Sequence, residues 1–504
     1  MDLVTSLVSL YLGGRRKAIA RYASSTRDMQ EKVLMRLIRR AMDTEWGVEH
    51  KFKEMNGYRD FAARVPINSY DDLQERIERM RQGEKDILWP GQVKYFAKSS
   101  GTTAGRSKFI PVTKEGLKHL HMMGGHDATA LYLGRNKDSR ISKGHGLILS
   151  GSFDPALDTP TSRTGDVSAI MTASIHPYLR KLMMIGPPMD IASISDFGEK
   201  REKLARYAIK TNVTSFSGVP SWWLSVISHA LEISGKETLD QLWPNLEIFF
   251  HGGVGFTPYR DLYHKIITSP KMHYMETYNA SEGFFGLQDD PSDPAMLLMV
   301  DYDVFYEFIP LSQLGKKDAK AIPIWEVKTG VNYAMVISTS CGLWRYLIGD
   351  TIRFTQKDPY KFVISGRTRQ FINAYGEELI VENAEKGIDI ACKATGAKVR
   401  EYTAAPVYMD EHAKARHQWL VEFAHEPDSL EKFTMELDTA LRSLNSDYDA
   451  KRFEDIVLTH LEVVPARKGL FHEWLDKHGK LGGQHKVPRL ANNREIMDDL
   501  LSMN

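Results

Sequence analysis

The sequence predicts an α/β protein with a large amino-terminal α/β domain over residues 1–367 and a small carboxyl-terminal α+β domain over 368–504, joined by a hinge. Three observations carry this. From residue 93 onward, short apolar runs alternate with amphipathic stretches. Two of those runs, 213–216 and 246–250, stop at Ser217-Gly218-Val219-Pro220 and at His251-Gly252-Gly253. Strand, glycine loop and helix in that order is the grammar of a sheet whose ligands gather at the carboxyl ends of its strands. After about residue 368 the order becomes helix, strand, strand, helix, strand, a compact unit of its own.

The elements follow in chain order. Roughly the first ninety residues read as helical. Residues 2–12 read as a helix packed on the body, with a helix lying on a membrane surface as the alternative. Arg15, Arg16 and Lys17 follow this apolar stretch instead of preceding it, the wrong order for a secretory signal. Asn68-Ser69 before Asp71-Asp72 supplies an N-cap and an acidic first turn for a helix reaching Arg81, and the charge run 76–85 is a solvated face. Thr257-Pro258 offers an N-cap and a proline at the first helical position, opening a helix to Lys265. In the small domain, helices are expected at 382–395 and 429–444 and strands at 405–409, 419–423 and 456–464. Lys357-Asp358-Pro359 and Ser365-Gly366-Arg367 lie on the approach to the hinge.

Composition excludes several classes of function. Lys+Arg number 66 against 65 Asp+Glu, a net charge of +1, which argues against a broad basic field and a nucleic-acid partner. Two cysteines, Cys341 and Cys392, cannot build a disulfide framework or a thiolate zinc site, and their scarcity suits a reducing, cytoplasmic compartment. No apolar stretch approaches the ~18–20 residues of a membrane span. No fixed-period repeat is visible, so solenoids and propellers drop out.

Three motifs could carry chemistry. In Lys98-Ser99-Ser100-Gly101-Thr102-Thr103-Ala104-Gly105-Arg106-Ser107-Lys108, glycines allow close backbone approach to an anion, hydroxyls and amides donate hydrogen bonds, and Lys108 offsets charge. It is not a Walker A loop, since three residues separate its glycines and no lysine follows Gly105; a plain Ser/Thr/Gly hairpin turn is the alternative. In 274–284 a carboxylate beside a hydroxyl could hold Mg²⁺ and an adjacent aromatic could stack on a base, or the segment is a turn with a core tyrosine. In 342–350 an aromatic-rich strand closes on Gly349-Asp350; an ionised Asp350 could accept two ribose hydroxyls or simply cap a turn. His119, His121, His126 and Asp127 cluster without the spacing of a zinc motif, and read as pocket lining or surface.

Together and in this order, the motifs resemble those of the adenylate-forming superfamily of acyl-CoA synthetases, firefly luciferase and peptide-synthetase adenylation domains. The closer resemblance is to the auxin-responsive acyl acid–amido synthetases, which conjugate plant hormones to amino acids. It rests on 99–105 with Lys108, Phe109 and Pro111 behind it, on Tyr278 to Glu282, on Tyr346 to Asp350, on Gly366-Arg367 and on 483–489, and so spans almost the whole chain. The chain is shorter than the plant enzymes, as the family's bacterial members are. Ala280 takes the place of one usual serine in the second motif, and Leu347-Ile348 replaces the usual Arg-Val or Arg-Leu pair in the third.

The resemblance implies an adenylate-forming fold, ATP and Mg²⁺, a small carboxylic acid and an amine or amino-acid acceptor, with neither nucleic acid nor stable membrane insertion. It implies that Ser99, Ser100, Gly101, Thr102 and Thr103 cradle the β- and γ-phosphates with Lys108 nearby, that Tyr278 stacks on adenine with Asn279 and Ser281 beside it, and that Glu282 holds Mg²⁺ as a catalytic group. Asp350 would bind the ribose, Arg367 would steady the nucleotide near the hinge, and Lys486 would reach the α-phosphate from the small domain. Val219, Trp222, Gly252, Gly253 and Phe284, with the helix after Thr113, would form the acyl pocket. An acid–thiol ligase using coenzyme A and a catalytically silent nucleotide-binding protein are the rival functions.

Overall fold

The structure is a computed structural model. It describes residues 1–103, 106–254, 256, 259–316, 319–367, 370–377, 379–409, 414–455, 457–478 and 487–504, and at 100–103, 106, 107, 367 and 454 it describes the backbone alone. Its centre is a twelve-stranded mixed sheet. Ile185–Gly186, His145–Ile148, Val213–Gly218, Ile248–Gly252 and His273–Ala280 run parallel, in that spatial order. From there the sheet turns antiparallel through Gly283–Leu287, Met296–Leu298, Lys361–Arg367, Tyr346–Gln356, Asn332–Thr339, Val304–Pro310 and Ile322–Pro323. The α/β expectation holds, and both predicted buried strands lie in the parallel half.

The amino-terminal ninety residues are helical as expected. Helix Leu3–Tyr11 is capped by the Asp2 carboxylate and packs on the body through Thr5 and Ser9. Helix Tyr70–Arg81 begins where Asp72 accepts the backbone N–H and the hydroxyl of Ser69, each at 2.7 Å. The solvated-face reading holds there too, for Arg76 and Arg79 pair with Glu45, Glu49 and Glu84 on partly exposed surface. The Thr257-Pro258 cap lies outside the described residues; the helix after it runs Arg260–Ile266. The histidine cluster divides. His121 is buried, and Asp127 is held by Arg15 at 2.7 Å and by the Tyr302 hydroxyl at 2.9 Å. Among the described residues no group of three His, Cys, Asp or Glu could hold a metal.

After residue 370 a three-stranded sheet forms from Lys398–Val407, Arg416–His425 and Glu462–Pro465, with helices Val381–Thr395 and Leu430–Leu444 packed against each other. Three expectations need correction. The first strand is Lys398–Val407 and not 405–409, because charged Lys398, Arg400 and Glu401 interrupt the apolar signal of its opening residues. Strand 456–464 shrinks to Glu462–Pro465; Val457, Leu458 and Leu461 are buried as packed loop, a case in which an apolar run records burial and not pairing. Lys357-Asp358-Pro359 is the turn between the two strands Tyr346–Gln356 and Lys361–Arg367, well before any hinge.

One apolar face of this smaller sheet, including Trp419 and Val421, belongs to a cluster that continues through Tyr375 and Ala374 into Tyr259, Trp223 and Phe216 of the larger unit. The junction is also polar. Tyr259 Oη donates to the Ala374 carbonyl at 2.5 Å and Ser221 Oγ to that of Tyr375 at 3.5 Å. The buried Glu377 carboxylate accepts the N–H groups of Ala374 (3.2 Å) and Tyr375 (2.6 Å) and meets His417 Nε2 at 2.8 Å.

Candidate active site

The hydroxyl-rich loop is a β-hairpin. Tyr95–Thr103 pairs antiparallel with Arg106–Val112, with Phe96 opposite Pro111 and Ser99 opposite Lys108. Buried Phe96, Ala97, Ile110 and Val112 anchor its base, so the hydroxyl- and glycine-bearing end projects from a fixed stem. Ala104 and Gly105 lie outside the described residues, and of Ser100, Gly101, Thr102 and Thr103 the strand course alone is described. Lys98 Nζ lies 3.2 Å from Asp154 Oδ2. Lys108 Nζ sits 5.7 Å from the centre of the Tyr70 ring, and the Tyr70 hydroxyl accepts the N–H of Phe109 at 2.9 Å. The capped start of the 70–81 helix therefore holds the hairpin at its Lys108 strand.

The second and third motifs meet at a short hydrogen bond. Tyr278 Oη donates to Asp350 Oδ2 at 2.5 Å, and its ring lies 5.2 Å from that of Phe285 and 6.0 Å from that of Phe362. Tyr278, Glu282 and Asp350 are all buried. Ser281 and Glu282 form the turn between strands His273–Ala280 and Gly283–Leu287. Asp350 does not close its strand, as the aromatic pattern suggested. The strand starts at Tyr346, directly after the left-handed Arg345 (φ 41°), and runs on to Gln356. Across the ladder Asp350 stands opposite Arg367, which places that backbone beside it.

Tyr346 ties the three motifs together, and sequence reasoning gave it no role of its own. Its hydroxyl is buried and, among the described residues, has no hydrogen-bond partner. Burial, and then the nearby groups Glu282, Tyr70, Asp71 and Asp350, push its pKa well above the ordinary phenol value. Tyr70 is in turn the ring that Lys108 overlies, so groups belonging to or contacting all three motifs act electrostatically on one buried hydroxyl. An O–H without an acceptor at such a place suits an oxygen of a phosphate or a ribose. The signal was the motif itself, where an aromatic reads as core.

Of the residues expected to line an acyl pocket, Gly252, Gly253 and Val219 lie at or just after the carboxyl ends of parallel strands. A Cβ on Gly252 would come within 2.3 Å of the Thr277 carbonyl and 3.2 Å of Asn279 Oδ1, and Gly253 (φ 84°) lies against Val219. Phe284 stands opposite Asn279 and presses on Gly124 of helix Met122–Arg135, which follows Thr113. Trp222 instead faces the smaller unit, with Lys451 Nζ 4.1 Å from its ring. Neighbouring strands also set His251 beside Glu276. Burial, opposed by Arg260, raises the Glu276 carboxyl to about 7, and burial lowers His251 to about 3. Both residues lie within segments the sequence singles out, but neither is given a role there. Lys486 lies outside the described residues, and of Arg367 no side chain is described.

Against this geometry stand the comparisons with known proteins. Models of the GH3 family match the chain in three pieces, the N-terminal domain at 15–161, the central domain at 297–367 and the C-terminal domain at 382–495, together about two-thirds of its length. Indole-3-acetic acid-amido synthetase GH3.4 of Arabidopsis thaliana is 25% identical over 93% of this chain and 90% of its own. Indole-3-acetic acid-amido synthetase GH3.8 of Oryza sativa subsp. indica is 24% identical over 93% and 89%. Among solved structures, GH3.15 acyl acid amido synthetase superposes with a TM-score of 0.59 at 19% identity, covering 96% of this chain and 94% of that one. A 2-hydroxyisobutyryl-CoA ligase in its thioesterification state gives 0.55 at 14% identity, covering 98% and 93%. These structural likenesses establish that the chain shares the fold of these two ligases.

Proposed function

The chain belongs to the GH3 family, and from that premise we propose that it is an ATP- and Mg²⁺-dependent acyl acid–amido synthetase, a ligase that adenylates a small carboxylic acid and joins it to an amino acid or related amine. The observation that carries the reading is the convergence of the hairpin, Glu282 and the Tyr278–Asp350 bond on the buried hydroxyl of Tyr346. In the first half-reaction a carboxylate oxygen of the acid bonds to the α-phosphorus of ATP and the bond to pyrophosphate breaks. In the second an amine attacks the acyl carbon, AMP leaves with the bonding electrons and the amine proton passes to water. The hairpin amides and Lys108 hold the β- and γ-phosphates, Asp350 accepts the ribose hydroxyls, and Tyr278 keeps the Asp350 carboxylate in place. Glu282 is the motif carboxylate that would hold Mg²⁺ beside phosphate oxygens, an arrangement that suits this ion, and the metal would offset charge on the phosphates. The domain boundary belongs to the same proposal: 1–367 binds the nucleotide and the acid, and 368–504 carries Lys486 to the α-phosphate. The cytoplasm is the compartment that this chemistry and two free cysteines fit.

The test is a panel of carboxylic acids with ATP, scored by pyrophosphate release and repeated with amino acids and with coenzyme A. An acid-dependent release followed by an amide product is expected. Release that leads to a thioester alone moves the protein to the acid–thiol ligases, and no release with any acid and divalent metal overturns the reading. Glu282→Ala should abolish pyrophosphate release while leaving the melting temperature nearly unchanged; a variant with wild-type turnover sends the metal role elsewhere.

A further inference from the structure

Two short helices in this protein are inside out. In Leu3–Tyr11 the buried positions are Thr5 and Ser9, whereas Leu3, Val4, Leu7, Leu10 and Tyr11 are 54% to 79% exposed. In Pro177–Leu182 the side chain turned inward is Arg180, which donates to the carbonyls of Thr172 (3.3 Å) and Pro187 (2.5 Å). Tyr178, Leu179, Leu182 and the following Met183 are 46% to 68% exposed. Single exposed leucines are ordinary on a soluble protein; two helices that bury their polar side and present their apolar side are not.

The two patches flank one stretch of chain. The N–H of Ser142 approaches Thr5 Oγ1 at 3.4 Å, and the N–H of Gly146 donates to the carbonyl of Met184 at 3.0 Å. Three residues lie between these contacts, a span of at most ~14 Å even when extended. This stretch leads into strand His145–Ile148, so the patches sit where the parallel strands begin, at the opposite end from Gly252 and Gly253. Lys137, Arg140, Lys143 and Lys181 are exposed around them and form no ion pair among the described residues; Asp2 and Asp138 are acids in their midst.

We propose that this end of the sheet docks reversibly on an anionic lipid surface. Apolar side chains would enter the interface and the interleaved cations would meet lipid headgroups, and the two patches together supply the pair of signals that stable peripheral binding needs. A second copy fits worse, because joining two such faces sets cations against cations. No described helix is long and apolar enough to cross a membrane, so the association is peripheral. The active-site end stays open to substrates.

The experiment is co-sedimentation of the intact protein with vesicles of phosphatidylcholine alone or with roughly a third of phosphatidylglycerol. The protein should pellet with the anionic vesicles, little with the neutral ones, and less as salt rises. Leu7→Glu with Leu10→Glu should weaken pelleting by at least about tenfold at an unchanged melting temperature, since both side chains are already solvated. Lys137→Glu with Lys143→Glu, which alters no apolar residue, should weaken it as well. Absence of pelleting on anionic vesicles, or pelleting that survives both variants, overturns the proposal. So does a dimer seen by light scattering that Leu7→Glu disperses, which would make the face a protein interface.

Discussion

The Asp350 carboxylate takes a proton donor from inside the protein, the Tyr278 hydroxyl, before any ligand reaches it. That bond helps to orient the carboxylate. Asp350→Ala should weaken ATP by about tenfold to a hundredfold, on the order of 1.5–3 kcal/mol, read by calorimetry. Equal affinity in variant and wild type would return Asp350 to the role of a turn cap. Because Tyr278 acts through Asp350, the double variant with Tyr278→Phe should bind ATP no worse than Asp350→Ala alone. Glu276 makes a different prediction. Its carboxyl is raised to about 7 by burial, so the folded chain holds a proton that the unfolded chain releases near 4.5. Its contribution to stability is therefore full below about pH 4.5 and is lost as pH rises through 7. Glu276→Gln should remove that loss and be more stable than wild type at pH 8 by on the order of 1–3 kcal/mol, with little difference at pH 5, in urea melts at the two pH values.

At the scale of elements, the close approach of helix Met122–Arg135 to strand Gly283–Leu287 depends on Gly124. A Cβ there would lie 2.1 Å from the Phe284 ring. Helix propensity alone favours alanine by about 1 kcal/mol, so Gly124→Ala tests which effect wins. Overpacking should dominate, with a net loss of about 1–3 kcal/mol in chemical denaturation, and the acyl wall should open at Phe284. The contrast also explains which elements were legible in the sequence. Helices with a strong start, such as 70–81 at Ser69 and 430–444 at Ser429, declare themselves through a cap and an apolar period. Strand Lys398–Val407 does not, because charged residues interrupt its first half. Segment 457–461 misleads in the opposite direction, apolar because it is buried, while its N–H groups at 458 and 459 bond to the carbonyls of Lys451 and Ala415 outside any strand ladder. The candidate site divides the same way. Glycines and hydroxyls at 99–105 stand out, while Tyr70, Tyr346 and the His251–Glu276 pair look like ordinary core residues until packing sets them beside charge.

For the whole molecule, the proposed reading requires a lysine near the chain end to act on a nucleotide bound by the other unit. Lys486→Ala should slow adenylate formation by at least about a hundredfold, the scale of losing one preorganised charge stabiliser. ATP binding should change little, and amide formation from chemically made acyl-adenylate should largely survive; loss of transfer with adenylation intact would assign Lys486 to the acceptor side. Any such movement must release the junction at residues 373–377. Glu377 and His417 brace that turn to the smaller unit, while Tyr259 and Ser221 grip it from the larger one through the carbonyls of Ala374 and Tyr375. Both grips are on main-chain atoms, which every amino acid carries. Over a lineage the identity of residue 374 is therefore limited by the space left in the buried cluster and not by the hydrogen bond, while constraint on hydrogen-bonding chemistry falls on Tyr259, Ser221 and Glu377, the residues whose side chains do the holding.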